Sequence, residues 1–87
     1  MMKLSKDFLI HISGGKTDLI PVGGAAFSGI MRGNQTLGTI LELLKSETTE
    51  EEIVSAMKEK YNAPDGIIER DVKKALSELR GIGALDE

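Results

Sequence analysis

Histidine occurs once in this sequence, at His11, and cysteine not at all, so thiolate and multi-imidazole chemistry have no starting material. A lone imidazole becomes a catalytic unit only when another group orients it, and the run Phe8-Leu9-Ile10-His11-Ile12-Ser13 supplies none. The acidic cluster Glu50-Glu51-Glu52 follows Thr48-Thr49 at the S/T-x-x-E spacing of a capping box, which makes it the start of a helix before it is a metal site. Gly14-Gly15 is followed by Lys16-Thr17 but runs into an extended segment rather than a helix, and Gly23-Gly24 is followed by neither Lys-Ser/Thr nor a helix, so neither completes a phosphate cradle and both read as turns. No catalytic residue, metal ligand or cofactor site is expected. What remains are side chains that could recognise rather than transform, chiefly Arg32, Met31 and Asp71. Arg32 either pairs with an acidic partner or stands as a solvated charge guarding a strand edge. Met31 is either core filler or an adaptable contact.

Composition narrows the class further. At 87 residues the chain is expected to form one domain, 1–87, because so short a chain cannot divide its buried surface between two cores. Without disulfides its stability must come from packing, which suits a reducing cytoplasm. The start Met1-Met2-Lys3-Leu4-Ser5-Lys6-Asp7 is charged and lacks an apolar run behind it, so neither a signal peptide nor a membrane span is expected. Fourteen acidic side chains stand against eleven basic ones, and Phe8, Phe27 and Tyr61 are the aromatics. That balance makes nucleic acid an unexpected partner, since neither a basic track nor a stacking platform is present.

The chain changes period near Gly33. Phe8, Ile10 and Ile12 alternate onto one face of an extended strand, taken as the core face. Gly14-Gly15 suits a tight hairpin turn into a second strand over 17–22, with Pro21 at its edge or end. A third strand, interrupted by Gly29, is read over 25–32. From Leu37 the apolar residues Leu37, Ile40, Leu41 and Leu44 fall on one helical stripe, beginning near Thr36 with Asn34 or Thr36 as cap. A second helix follows Thr48-Thr49, carries Ile53, Val54, Met57 and Tyr61 on one stripe, and ends before Pro64. Asp65 is the expected cap of a third, with Ile68, Val72, Ala75, Leu76 and Leu79 inward, Glu69–Lys73 and Lys74–Glu78 as surface ion pairs, and Gly81 as its stop. The expected class is α+β: a small three-stranded antiparallel sheet followed by three helices, winged-helix-like.

That order, with particular residues in it, resembles the PqqD family of small peptide chaperones (coenzyme PQQ synthesis protein D), also called RiPP recognition elements. Asn34, Thr36, Ile40 and Leu43-Leu44 match its "LNxTgaxIwxLL" junction. Thr49, Glu51-Glu52-Ile53 and Tyr61 match "TxEEIxxxxxxxY", and Asp71-Val72, Leu76, Leu79, Gly83 and Leu85 match "DVxxFLxxLxxxGLL". The chain departs from the pattern at Gly33 (usually Leu), Leu37-Gly38 (usually Gly-Ala), Leu41 (often Trp or Tyr) and Ala75 (usually Phe).

The resemblance implies a non-catalytic domain that binds the leader segment of a ribosomally made precursor peptide and presents it to a modifying enzyme, typically a radical SAM protein. Pyrroloquinoline quinone biosynthesis is the pathway that gives the family its name. The leader is expected to add as a strand to the third strand's edge, against the third helix. Carried onto this sequence, the positions are Ser28, Gly29, Ile30, Met31 and Arg32 on the strand, and Ile68, Asp71, Val72, Ala75 and Leu79 on the helix. An open edge also allows a monomer or an edge-mediated or swapped homodimer. The alternative is a winged-helix DNA-binding protein, which the near-balanced charge of the third helix disfavours.

Overall fold

The computed structural model describes residues 1–24 and 29–87. In chain order these form β1 (Lys3–Leu4), β2 (Phe8–Ser13), β3 (Lys16–Pro21), β4 (Met31–Asn34), α1 (Gln35–Leu43), α2 (Glu50–Lys60), α3 (Ile67–Gly81) and β5 (Leu85–Asp86). β2, β3 and β4 make an antiparallel sheet with β3 in the middle, and the three helices follow it, as the α+β reading expects.

Gly14 and Gly15, at φ +57° and +78°, supply the two left-handed residues of a type I′ hairpin turn, whose twist suits the flanking strands. Its register sets Ile10 opposite Leu19 and Ile12 opposite Thr17. Phe8 and Leu19 are buried on that face. Ile12 shares the face but is exposed, so the core extends less far along β2 than the alternation implied.

The third strand differs from expectation. It runs Met31–Asn34 rather than 25–32, continuing without a break into α1, and residues 25 to 28 of the expected span lie outside the described part. Gly29 sits at φ +119° ahead of the strand. Within it the inward positions are Met31, opposite Leu19, and Gly33, opposite Thr17. A glycine at an inward position hides the alternation that would have revealed the strand.

Asn34 caps α1, its Oδ1 accepting from the Leu37 N–H at 3.1 Å. Gly38 follows in the first turn because the sheet comes close there: an added Cβ would lie 2.5 Å from Thr17 Oγ1 and 3.2 Å from Ile12 Cδ1. Close approach, together with the cap, explains a glycine that intrinsic helix propensity disfavours by about 1 kcal/mol. α1 lies between the sheet and the other helices, touching all three strands and α2. Ile40, Leu41 and Leu44 are fully buried with Ile53, Met57, Val72, Leu76 and Leu79.

α2 takes Thr49 as its cap, with the Glu52 N–H donating to Thr49 Oγ1 and that hydroxyl donating to Glu52 Oε1, each at 3.2 Å. Thr48 does not share the capping role. It is buried and exchanges backbone bonds with Met2 at 2.8 and 2.9 Å. α2 ends at Tyr61, whose hydroxyl lies 2.8 Å from Thr39 Oγ1 on α1.

Asp65 does not cap α3. Gly66 at φ +84° precedes the helix, and the Ile67 N–H donates to Pro64 O at 3.2 Å, so Pro64-Asp65-Gly66-Ile67 makes a type II turn that delivers the chain into the helix without a side-chain cap. Nor does Gly81 stop it. Gly83, at φ +75°, does, in a Schellman motif in which the Ala84 N–H donates to Leu79 O and the Gly83 N–H to Arg80 O. β1 then pairs with β5, joining the two ends of the chain.

The expected Glu69–Lys73 and Lys74–Glu78 pairs are not formed. Glu69 instead meets Lys58 of α2 at 2.6 Å, because the α2–α3 packing offers it a closer partner. The Lys58 hydrogen bond and the Glu69 backbone hydrogen bond hold the Glu69 carboxyl below the ordinary carboxylate range. Unfolded Glu69 takes up its proton at the higher, ordinary value, so this stabilisation is complete above that value and fades as pH falls through the folded-state one. Accordingly Lys58→Met is expected to lower the melting temperature slightly near neutrality, and the gap from wild type should close on acidification; thermal melts across acid pH check it.

Candidate functional site

β4 is a sheet margin. It pairs with β3 on one side, and on the other no backbone hydrogen bond reaches it among the described residues. In an antiparallel strand alternate residues direct N–H and C=O away from the paired neighbour, so this margin offers a ready template for another strand.

Facing the margin is one flank of α3. Between them runs an open groove of about 300 Å³, with Met31, Arg32, Gly33 and Asn34 on the strand side and Asp71, Lys74, Ala75 and Glu78 on the helix side. Leu37, Ile40 and Thr36 of α1 complete its lining. α3 presents this flank by its spacing: Asp71, Lys74, Ala75 and Glu78 stand at i, i+3, i+4 and i+7, one residue aside from the buried stripe Ile68, Val72, Leu76 and Leu79. An apolar floor with charges along one wall and free backbone along the other suits an extended peptide, which needs main-chain pairing and side-chain pockets together.

The charges are disposed in two groups. Across the outer face of the sheet His11, Asp18 and Arg32 lie in register, with Arg32 Nε 3.5 Å and His11 Nδ1 4.0 Å from the Asp18 carboxylate. Arg32 is thus an edge charge with a partner on its own chain. On the helix wall Asp71 lies 3.7 Å from Arg70, while Lys74 and Glu78 have no ion-pair partner among the described residues. At the far end of α3, Arg80 holds Glu87 at 3.0 Å, which lowers the Glu87 carboxyl and raises the Arg80 guanidinium. That pair lies outside the groove.

Of the positions carried from the sequence, Met31, Arg32, Asp71 and Ala75 meet in the groove. Gly29 and Ile30 are exposed ahead of β4 and do not line it, and Ser28 lies outside the described residues. Ile68, Val72 and Leu79 are buried in the core beneath α3. Gly33, Asn34, Thr36, Leu37, Ile40, Lys74 and Glu78 also line the groove but are not among the expected peptide-binding positions. The signal for Lys74 and Glu78 is their i+3 and i+7 relation to Asp71, which puts all three on one flank. Among the described residues no group of three or more His, Cys, Asp and Glu side chains is placed to hold a metal ion.

A small antiparallel sheet whose β4 margin is unpaired among the described residues, beside the last of three helices, defines an α+β domain with an open strand edge. The sequence profile described as Coenzyme PQQ synthesis protein D (PqqD) matches residues 10–85, and the chain belongs to that family. Among solved structures it is similar to "TbiB1 in Complex with the TbiA(beta) Leader Peptide", at 21% identity and a TM-score of 0.78, covering 97% of this chain and 94% of that one. The likeness is one of fold. No curated protein matches this sequence. Among the described residues no helix is long and apolar enough to cross a membrane.

Proposed function

We propose that residues 1–87 form one non-catalytic recognition domain, which takes the leader segment of a ribosomally synthesised precursor peptide as a fourth strand on β4 and presents it to a modifying enzyme of the radical SAM type. The observation that carries this reading is the β4 margin, unpaired among the described residues, facing α3 across an apolar-floored groove. Family membership supports it, and so does the bound leader peptide of the similar structure. A cytoplasmic setting suits a domain that meets precursor peptides as they are made, and a chain without cysteine is at home there.

Main-chain pairing gives affinity to any extended segment, so selectivity falls to the groove wall. Lys74 and Glu78 lie one turn apart, and on a strand alternate side chains face the same way about 6.6 Å apart. A leader with opposite charges at such positions would match both. The test is fluorescence anisotropy with the leader of the precursor peptide encoded beside this gene. Lys74→Glu and Glu78→Lys are each expected to weaken binding about tenfold at low salt, less at high salt, with the melting temperature unchanged. Wild-type protein that fails to bind that leader would overturn the reading.

A further inference from the structure

A second hollow adjoins the groove. It lies between the end of α2 and the first two turns of α3, measures about 210 Å³, and is walled by Met57, Tyr61, Ala63, Ile67, Ile68 and Val72. Thr36 and Asp71 line both this hollow and the groove, so the two meet at the Asn34 end of β4. On the strength of the groove reading above, we infer that this hollow receives one apolar side chain of the bound peptide, of leucine, isoleucine or phenylalanine size, from just beyond the strand-paired segment.

The walls are held open by the fold. Met57 and Val72 are fully buried, so the floor belongs to the core. Tyr61, the side chain best able to swing in and fill the space, is tied by its hydroxyl to Thr39 at 2.8 Å and by its N–H to Met57 O at 2.8 Å. The type II turn at Pro64-Asp65-Gly66 carries the chain around the hollow rather than across it.

Size selects the occupant. Sites for free small molecules span about 300–1,000 Å³, whereas an apolar cavity of about 150 Å³ accepts a benzene ring. At 210 Å³ the hollow suits one side chain. Its walls are apolar, and Thr36, Asn62 and Asp71 supply polar groups that can meet the backbone of a peptide leaving the strand. Every strand pair among the described residues is antiparallel. A peptide paired to β4 in the same sense would carry its anchor on the N-terminal side of the paired segment.

The experiment uses a displayed library of random peptides, selected on the full chain. Selected binders should share one apolar residue N-terminal to a variable strand segment. Changing that residue to alanine should weaken binding about 10- to 100-fold, the range expected for losing one buried aliphatic or aromatic side chain. Ala63 is exposed at the wall of the hollow, so Ala63→Trp can fill it from outside with the fold intact. On that variant the original peptide and its alanine derivative should bind equally weakly. Binders that keep wild-type affinity for Ala63→Trp, or that tolerate alanine at every apolar position, overturn the inference. Amide shifts separate this from failure of the groove itself. Binders that perturb β4 but ignore Ala63→Trp refute the anchor hollow alone, whereas binders that leave β4 unperturbed, or no binders at all, refute both.

Discussion

N-methylating the leader peptide one backbone amide at a time is expected to abolish binding at every second residue of the paired segment and to be tolerated at the residues between. A methyl group removes a donor and puts carbon where the β4 carbonyl must approach, so it acts only at residues whose N–H faces the protein. Each lost ladder bond leaves a shielded carbonyl unpaired, at about 1–3 kcal/mol, and the steric conflict adds to that. A fall in affinity of 100-fold or more at alternate positions is the expected scale. Because strand geometry fixes the period at two, no knowledge of register is needed. Uniform tolerance, or a period of three to four, would mean that the peptide binds by side chains alone or as a helix.

The second large effect concerns how this chain builds the groove floor. A Cβ on Gly33 would lie 3.0 Å from Leu37 Cβ, with the Leu37 side chain packed directly over the glycine. The PqqD pattern has the opposite arrangement, Leu before the Asn and Gly at the position of Leu37. Each pattern thus places one leucine across the two positions, on the helix here and on the strand in the PqqD pattern. Gly33→Leu alone is expected to cost about 1–3 kcal/mol by overpacking. Leu37→Gly alone should cost about 3–6 kcal/mol, from an emptied buried site plus a further helix glycine. In the double variant the losses should not add: a favourable coupling of about 1–3 kcal/mol is expected from chemical denaturation of all four proteins. Strict additivity would show that the two residues do not share a site.

Those two residues also show where the sequence can be read and where it cannot. Helical stripes were legible because four or five apolar side chains repeat at one spacing, and Gly14-Gly15 because a two-residue turn demands positive φ at both positions. Asn34 was one of two plausible caps, and the structure selects it. β4 was misplaced because its inward position Gly33 has no side chain to mark the alternation. β1 and β5 are two residues each and carry no periodic signal at all; they form because their partners are brought together by the helices. Gly81 and Gly83 both suit a helix stop, and the choice rests on which leaves Ala84 buried, a tertiary fact.

The site divides in the same way. Met31, Arg32, Asp71 and Ala75 could be named because the family resemblance places a strand and a helix side by side. Ile68, Val72 and Leu79 could not be separated from them, since an amphipathic helix shows its apolar stripe without saying which flank meets a neighbouring strand. That flank depends on how α3 is rotated about its axis by the packing of Val72, Leu76 and Leu79 beneath it. Lys74 and Glu78 looked like an internal ion pair from spacing alone. In the structure they stand apart along the groove wall, free to meet a partner.

The most direct measurement is amide hydrogen exchange along residues 29 to 34, in the free protein and with the leader peptide bound. The outward-facing amides of Met31–Asn34 should exchange quickly in the free monomer and become strongly protected in the complex, at alternate residues. Protection of those amides already in the free monomer, or a bound peptide that changes exchange only elsewhere, would contradict strand addition at β4.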